Sequence, residues 1–288
     1  MDSNLTKIKI VDSAFKHCQY HGQPLPRVDT SKFMEWDWNV SPNEDLVFYT
    51  DNHIRNPQHG HKKRIAWLIE PRCKQPHNYE WIVRGNKHYD YVLTHDKQLL
   101  DRGENFIFYP HCGAWIEHEN RKVTHDKTKL VSMITSAKRN VADHQKRHEL
   151  IQRHSDVIDV MGRGYKPIEP ISKGLIDYMF HIAMENQQGD YYFTEKIINP
   201  MLVGTIPIYY GMTTIGDYFD TRGMIIFNDI NEIPGILNKL TPELYKEMLP
   251  YVKSNFKEAH KYILSEDWMI ENNVFNKMGI FINEKQTK

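Results

Sequence analysis

The chain has 288 residues, and its 37 basic side chains balance 37 acidic ones, for zero net charge at pH 7 and a pI near 7.3. With 40% hydrophobic and 26% charged residues it is neither disordered nor fibrous. The charge balance argues against bulk capture of nucleic acid or an anionic membrane, while leaving room for a local basic pocket. At roughly 150 residues per domain the length suggests about two domains. The three cysteines, Cys18, Cys73 and Cys112, form no CxxC pair, so neither a disulfide scaffold nor a structural zinc site is expected and a reducing compartment is the natural setting. No apolar leader opens the chain and no long apolar span interrupts it, so the expectation is a soluble, cytoplasmic protein without signal peptide or membrane anchor.

In chain order, short apolar runs alternate with charged amphipathic stretches. Lys7–Val11, Leu46–Tyr49, Ile65–Ile69, Tyr91–Thr94 and Phe106–Tyr109 read as strands, with helical or loop segments such as Asp96–Arg102 between them. This rhythm predicts a parallel sheet covered by helices. Residues 117–129 turn polar and form the candidate linker. Beyond it the rhythm restarts: a strand at Leu130–Thr135, a long polar helix at Ser136–His154, and strands at Val157–Met161, Phe180–Met184, Thr205–Tyr210 and Met224–Phe227. Thr241 with Pro242, and Ser265 before Glu266 and Asp267, read as helix starts in the tail. Two such domains in series suggest a cleft, with ligands beyond the carboxyl ends of the strands.

The sixteen histidines include pairs spaced for a shared face (His17/His21, His144/His148, His59/His61), but no HExxH and no cysteine at zinc spacing, so hydrogen-bonded or surface histidines are expected. The Walker, dinucleotide and GxSxG patterns are absent. No DxD occurs, which removes the simplest carboxylate pair for a metal–diphosphate clamp. Glu117 and Glu119 read as a solvated face.

The informative stretch is Met184–Gly211. A strand ends at Glu185-Asn186, a polar loop with Gly189 follows, and Thr194 caps a helix opening with Glu195-Lys196 before Ile197, Ile198, Met201 and Leu202. A helix N-terminus after a strand favours an anion. A first-turn lysine opposes the dipole, so either Lys196 has an anionic partner, for which a diphosphate would serve, or it is simply solvated while Glu195 caps the helix. Pro200 should kink or shorten this helix.

This stretch resembles the α1,3/α1,4-fucosyltransferase family that uses GDP-fucose. The family's strand ending F-E-N, its Y-[VI]-T-E-K segment and its [TV]-[IV]-P-[IV] strand ending in glycine match Met184-Glu185-Asn186, Tyr192–Lys196 and Thr205–Ile208 up to Gly211, with Met184 in place of the usual phenylalanine. Lys127–Leu130, Arg147 and Val160–Arg163 are similar to the upstream part. The resemblance is strong over about residues 127–230 and weak over the first 120. It implies that Lys196 and Arg147 bind the diphosphate, that Glu195 holds the ribose hydroxyls, and that Asn186 and Tyr192 line the nucleotide-sugar pocket. It also implies that Glu70, ending Ala66–Pro71, is the general base. A surface pairing of Glu70 with Arg72 is the alternative.

The chemistry agrees with these residue types. Lys and Arg at a helix N-terminus neutralise a leaving diphosphate without a metal, and a carboxylate at a strand end deprotonates the acceptor hydroxyl. A single displacement then inverts the anomeric centre. The expected fold is α/β, of the GT-B class, with two Rossmann-like domains facing a central cleft: 1–124 binding the acceptor, and 125–288 binding the GDP-sugar and carrying the C-terminal helices. The implied function is inverting transfer of L-fucose from GDP-β-L-fucose to a glycan hydroxyl, of the α1,3 type. No cofactor or metal is required, and no nucleic acid or membrane partner is expected. A different nucleotide sugar, or a non-catalytic glycan- or nucleotide-binding module, are the alternatives. The lack of an anchor points to a bacterial-type or viral enzyme.

Overall fold

The computed structural model describes residues 5–23, 29–111 and 113–282; Cys112 lies outside them. The chain divides into two compact units, Met1–Gly113 with Leu264–Lys288, and Ala114–Ile263.

The first unit is built on β1 (Thr6–Val11), β2 (Met34–Asp37), β3 (Leu46–Thr50), β4 (Lys63–Trp67), β5 (Tyr91–Thr94) and β6 (Phe106–Phe108). They form one sheet in the order β2-β1-β3-β4-β5-β6, every pair parallel. Helix α1 (Pro76–Gly85) follows β4, and α2 (Lys97–Leu100), capped by the Asp96 carboxylate, follows β5. Val47, Phe48 and Tyr49 of β3 are all fully buried, as an apolar run in a parallel sheet covered on both faces requires. Val47, Tyr49, Ala66 and Val92 pack with Tyr79 and Ile82 of α1. The winding reverses between β1 and β3, which makes that edge a topological switch point.

The second unit carries β7 (Lys129–Ile134), α3 (Ala142–His154), β8 (Asp159–Met161), β9 (Tyr178–Gly189), α4 (Glu195–Met201), β10 (Ile206–Met212), β11 (Ile225–Ile226), α5 (Ile233–Leu237) and α6 (Pro242–Ala259). Its sheet order, β11-β10-β9-β7-β8, is again all parallel, with its switch point between β7 and β9. Every residue of β10 is buried, and Ile206 and Ile208 pack with Val131, Met133, Ile182 and Leu150. Helix α6 starts as expected, Thr241 Oγ1 accepting from the Leu244 amide at 3.1 Å with Pro242 at the first helical position.

Four local expectations are revised. The long helix expected from Ser136 begins at Ala142, because the amides of Thr135 and Ala137 donate to Met161 and Arg163 at 2.9 Å and keep the chain extended beside β8. The polar loop expected after Asn186 is a continuation of β9 to Gly189, which pairs with Met212 past an irregularity in β10. The polar segment 117–129 is not a free linker. Arg121 donates to the Ile116 carbonyl at 2.8 Å, and the half-buried Lys127 donates to Ile176, Val203 and Thr205, each at 2.8 Å. Ser265 is not an N-cap: Leu264 is, and the Ser265 hydroxyl lies 3.0 Å from His21 Nδ1.

The tail from Leu264, expected with the second domain, belongs to the first unit. It carries α7 (Ser265–Glu271) and α8 (Val274–Lys277). The reason is polar as well as apolar. Glu266 is fully buried and accepts from the His21 amide at 2.7 Å and from Trp36 Nε1 at 2.8 Å, while Phe275 stacks on Phe48. Among the described residues no helix is long and apolar enough to cross a membrane.

Burial raises the Glu266 carboxyl to about 7 from an ordinary value of 4.5. The folded state therefore holds its proton more tightly than the unfolded one, and the stability this gives is present below pH 4.5 and lost as the pH rises through 7. Glu266→Gln keeps an acceptor for both donors without the buried charge. It is expected to stabilise the protein at pH 8 relative to wild type, by on the order of 2–3 kcal/mol, with the gain vanishing near pH 4.5; urea unfolding at the two pH values reads the difference.

Candidate active site

Within β9, one residue past the Met184–Tyr210 pair where its regular register with β10 ends, Glu185 is fully buried. Its carboxylate accepts from the Thr194 amide at 2.8 Å and from the Thr194 hydroxyl at 2.8 and 3.0 Å. Lys196 Nζ lies 3.4 Å from it and 3.1 Å from Glu195. Thr194 is the N-cap of α4, taking the Lys196 amide at 3.3 Å. The helix is short, and Pro200 sits near its end, as the sequence leads one to expect. The anionic partners of the first-turn lysine are thus carboxylates of this chain. Burial opposes the charge on Lys196, but Glu195 and Glu185 outweigh it and hold the ammonium above its ordinary value; burial holds the Glu185 carboxyl above its own.

Helix α3 brings Arg147 to the same part of β9. Its Nη2 donates to the Glu185 carbonyl at 3.0 Å and to Asn186 Oδ1 at 2.9 Å. His144, one turn earlier on α3, places Nε2 3.0 Å from the same amide oxygen. The residue is only 6% exposed, and its Nε–H has no partner among the described residues. Burial lowers the Arg147 pKa, with Glu185, Tyr192, Asp143 and Glu195 acting against that. Lys146 beside it bonds Asp143 and the Tyr210 hydroxyl at 2.8 and 2.7 Å.

The structure therefore brings Arg147, Asn186, Glu195 and Lys196 together around Glu185. Tyr192 is buried at 2% exposure, within electrostatic range of Arg147. From sequence, Glu185 has no role of its own and His144 is only one of a histidine pair; the signal for the first lies in the Glu185-Asn186 pair after the apolar run of β9. Gly211 on β10 completes the arrangement, since a Cβ there would stand 2.6 Å from Glu185 Cγ and 2.5 Å from the Tyr209 hydroxyl.

Glu70 belongs to the first unit, three residues beyond β4, and is half-buried. Its pairing with Arg72 does not occur: Arg72 Nε and Nη2 both donate to Asp96 at 2.8 Å, with the guanidinium 4.8 Å from the centre of the Tyr79 ring. No hydrogen bond or ion pair reaches the Glu70 carboxylate from the described residues. Its backbone is held by Tyr79, whose hydroxyl donates to the Glu70 carbonyl at 2.8 Å, and by Asp51, which takes the Glu70 amide at 3.3 Å.

The paired histidines are exposed, as His17 and His59 are, or engaged in hydrogen bonds. His61 lies 2.7 Å from the Tyr49 hydroxyl and 3.0 Å from the Ser41 carbonyl, and His148 bonds Tyr165 and Lys138. Among the described residues no cluster of His, Cys, Asp or Glu is arranged to hold a metal ion.

The model of glycosyltransferase family 10 (fucosyltransferase), C-terminal part, matches residues 124–268. The chain is 37% identical over 86 residues to alpha-(1,3)-fucosyltransferase B of Drosophila melanogaster, covering 28% of this chain and 19% of that one. It is 25% identical over 104 residues to GDP-fucose protein O-fucosyltransferase 3 of Bos taurus, covering 36% and 19%. The chain spans 38% or less of the length of these curated relatives. A solved alpha1,3-fucosyltransferase with GDP shares the fold, with a TM-score of 0.54 at 18% identity over 91% of this chain and 90% of that one. The two parallel-sheet, Rossmann-like units are of the GT-B class, and the chain belongs to glycosyltransferase family 10, the fucosyltransferases.

Proposed function

We propose that this chain transfers L-fucose from GDP-β-L-fucose to a hydroxyl of a glycan acceptor, with inversion and in an α1,3-type linkage. The observation that carries the reading is the buried Arg147, fixed by Glu185 and Asn186 through Nη2 with its buried Nε–H unspent, beside Lys196 near the switch point of the sheet. Such edges are where open α/β sheets bind ligands, and a paired Arg and Lys suit a diphosphate. The relatives named for GDP-fucose and α1,3 transfer, and a solved neighbour holding GDP, support the same donor.

In this reading Arg147 and Lys196 bind the diphosphate, Glu195 accepts from the ribose hydroxyls, and Asn186 and Tyr192 shape the nucleotide-sugar pocket. The acceptor oxygen attacks the anomeric carbon as the bond to the β-phosphate oxygen breaks. The acceptor's proton passes to Glu70, whose carboxylate is not tied up by Arg72, and GDP leaves with its charge met by the two cations. No metal takes part in these steps.

The test is GDP release with EDTA present. GDP-fucose is offered alongside GDP-mannose and UDP-sugars, with N-acetyllactosamine-type sugars, simple sugars and hydroxyl-bearing peptides as acceptors. Acceptor-dependent release from GDP-fucose with a sugar acceptor is expected, and release only from another donor, or none, overturns the reading. Glu70→Gln should lower kcat by roughly 10²–10⁴-fold, the usual worth of a general base, with GDP affinity unchanged. In calorimetry Lys196→Ala should weaken GDP binding by roughly ten-fold or more, as losing a charged hydrogen bond of about 1.5–3 kcal/mol implies; unchanged affinity would remove Lys196 from the diphosphate site.

A further inference from the structure

Asp51, the residue after β3, combines three unfavourable features that the fold alone does not explain. Its backbone has φ +36°, a region non-glycine residues seldom enter. The residue shows only 3% of its surface. Its Oδ2 is buried with no hydrogen-bond partner among the described residues. Strain and unsatisfied polar atoms at one residue mark a position retained for something other than stability.

What the side chain does is specific. Oδ1 accepts from the Ile69 amide at 2.9 Å and from the Glu70 amide at 3.3 Å. The other two backbone polar groups of this pair are also held by side chains: His111 Nδ1 lies 2.5 Å from the Ile69 carbonyl, and the Tyr79 hydroxyl donates to the Glu70 carbonyl at 2.8 Å. Past the end of β4 the chain has left the sheet ladder. Three side chains replace it, and Asp51 alone takes both amides.

We propose that Asp51 is a positioning residue for Glu70: its strained backbone aims one carboxyl oxygen at the two successive amides leading into the base and so sets where the Glu70 carboxylate stands. The inference rests on the proposed role of Glu70. Asp51 does not touch the reacting atoms. Burial, with the charges of Glu70 and Asp12 adding to it, raises the Asp51 carboxyl to about 7, so a neutral isostere is a fair replacement. Asp12 is itself fully engaged, accepting from the Thr50 hydroxyl at 2.5 Å and from the Ala14 and Phe15 amides, and is not free to take over the clamp.

Two substitutions separate the clamp from its setting. Asp51→Gly accepts the positive φ without strain but removes the acceptor. Asp51→Asn tolerates the same backbone and keeps one acceptor oxygen. With GDP-fucose and a sugar acceptor, Asp51→Gly should lose at least ten-fold in kcat while the KM for GDP-fucose and calorimetric GDP affinity stay within two-fold. Hydrogen exchange at the Ile69 and Glu70 amides should accelerate. Asp51→Asn should stay within three-fold of wild type in kcat and retain amide protection. An unchanged kcat in Asp51→Gly, a loss shared equally by Asp51→Asn, or a fall in kcat accompanied by loss of GDP binding would each overturn the proposal. A wild-type protein without turnover would instead overturn the fucosyl-transfer reading on which it rests.

Discussion

A single buried carboxylate organises the second unit. Glu185 has no exposed surface, and an ion in that position costs several kcal/mol unless partners surround it. The partners come from two helices: the Thr194 cap and its hydroxyl and the Lys196 ammonium at the start of α4, and on the backbone side Arg147 of α3 through the Glu185 carbonyl. One residue thereby couples the later part of β9, the start of α4 and the middle of α3. The space it occupies exists because Gly211 lacks a Cβ on the neighbouring strand. The two cations assigned to the donor stand where they do because the same residue holds one by its side chain and the other by its main chain.

Both sheets share a winding in which the first strand lies inside the order rather than at its edge. At the carboxyl ends of such strands the ladder stops, and the last amides and carbonyls need new partners. Acidic and amide side chains gather at such breaks for that reason: Asp12 and Asp51 after β1 and β3, and Glu185 and Asn186 in β9 just past the Met184–Tyr210 pair, where its register with β10 shifts. Chemistry and main-chain hydrogen bonding draw on the same residues, which is why a change at Asp51 or Glu185 acts on local structure and on function together.

Much of this was legible in sequence where the pattern was strong. The continuous apolar runs of β3, β5 and β10 and the Thr241-Pro242 start of α6 are local signals, and the structure follows them closely. The Tyr192–Lys196 segment and Arg147 could be named because their order matches a known family. The failures are tertiary. Nothing in Thr135–Ala137 shows that their amides pair with the end of β8 and postpone α3 to Ala142. Gln187 and Gln188 look like loop because β9 is half-exposed beyond Glu185. The polar stretch 117–129 looks like a linker, although Lys127 anchors it through the Ile176 and Val203 carbonyls, far away in sequence. Glu266 reads as an ordinary first-turn acid, and only its burial against Trp36 and His21 shows what it does.

The first unit is discontinuous in sequence, and this has a consequence for how the chain is made. Residues 114–263 form an uninterrupted unit whose contacts are all present once Ile263 has left the ribosome, so it is free to fold as soon as it emerges. The earlier-synthesised unit is not: the Trp36 indole N–H and the His21 amide find their acceptor only when Glu266 arrives, and Phe48 its stacking partner only at Phe275. The part translated first is thus the part completed last. Until α7 and α8 appear, its six-stranded sheet lacks the aromatic ring and the buried carboxylate that complete its core, an interval in which the nascent chain exposes apolar surface open to misassembly.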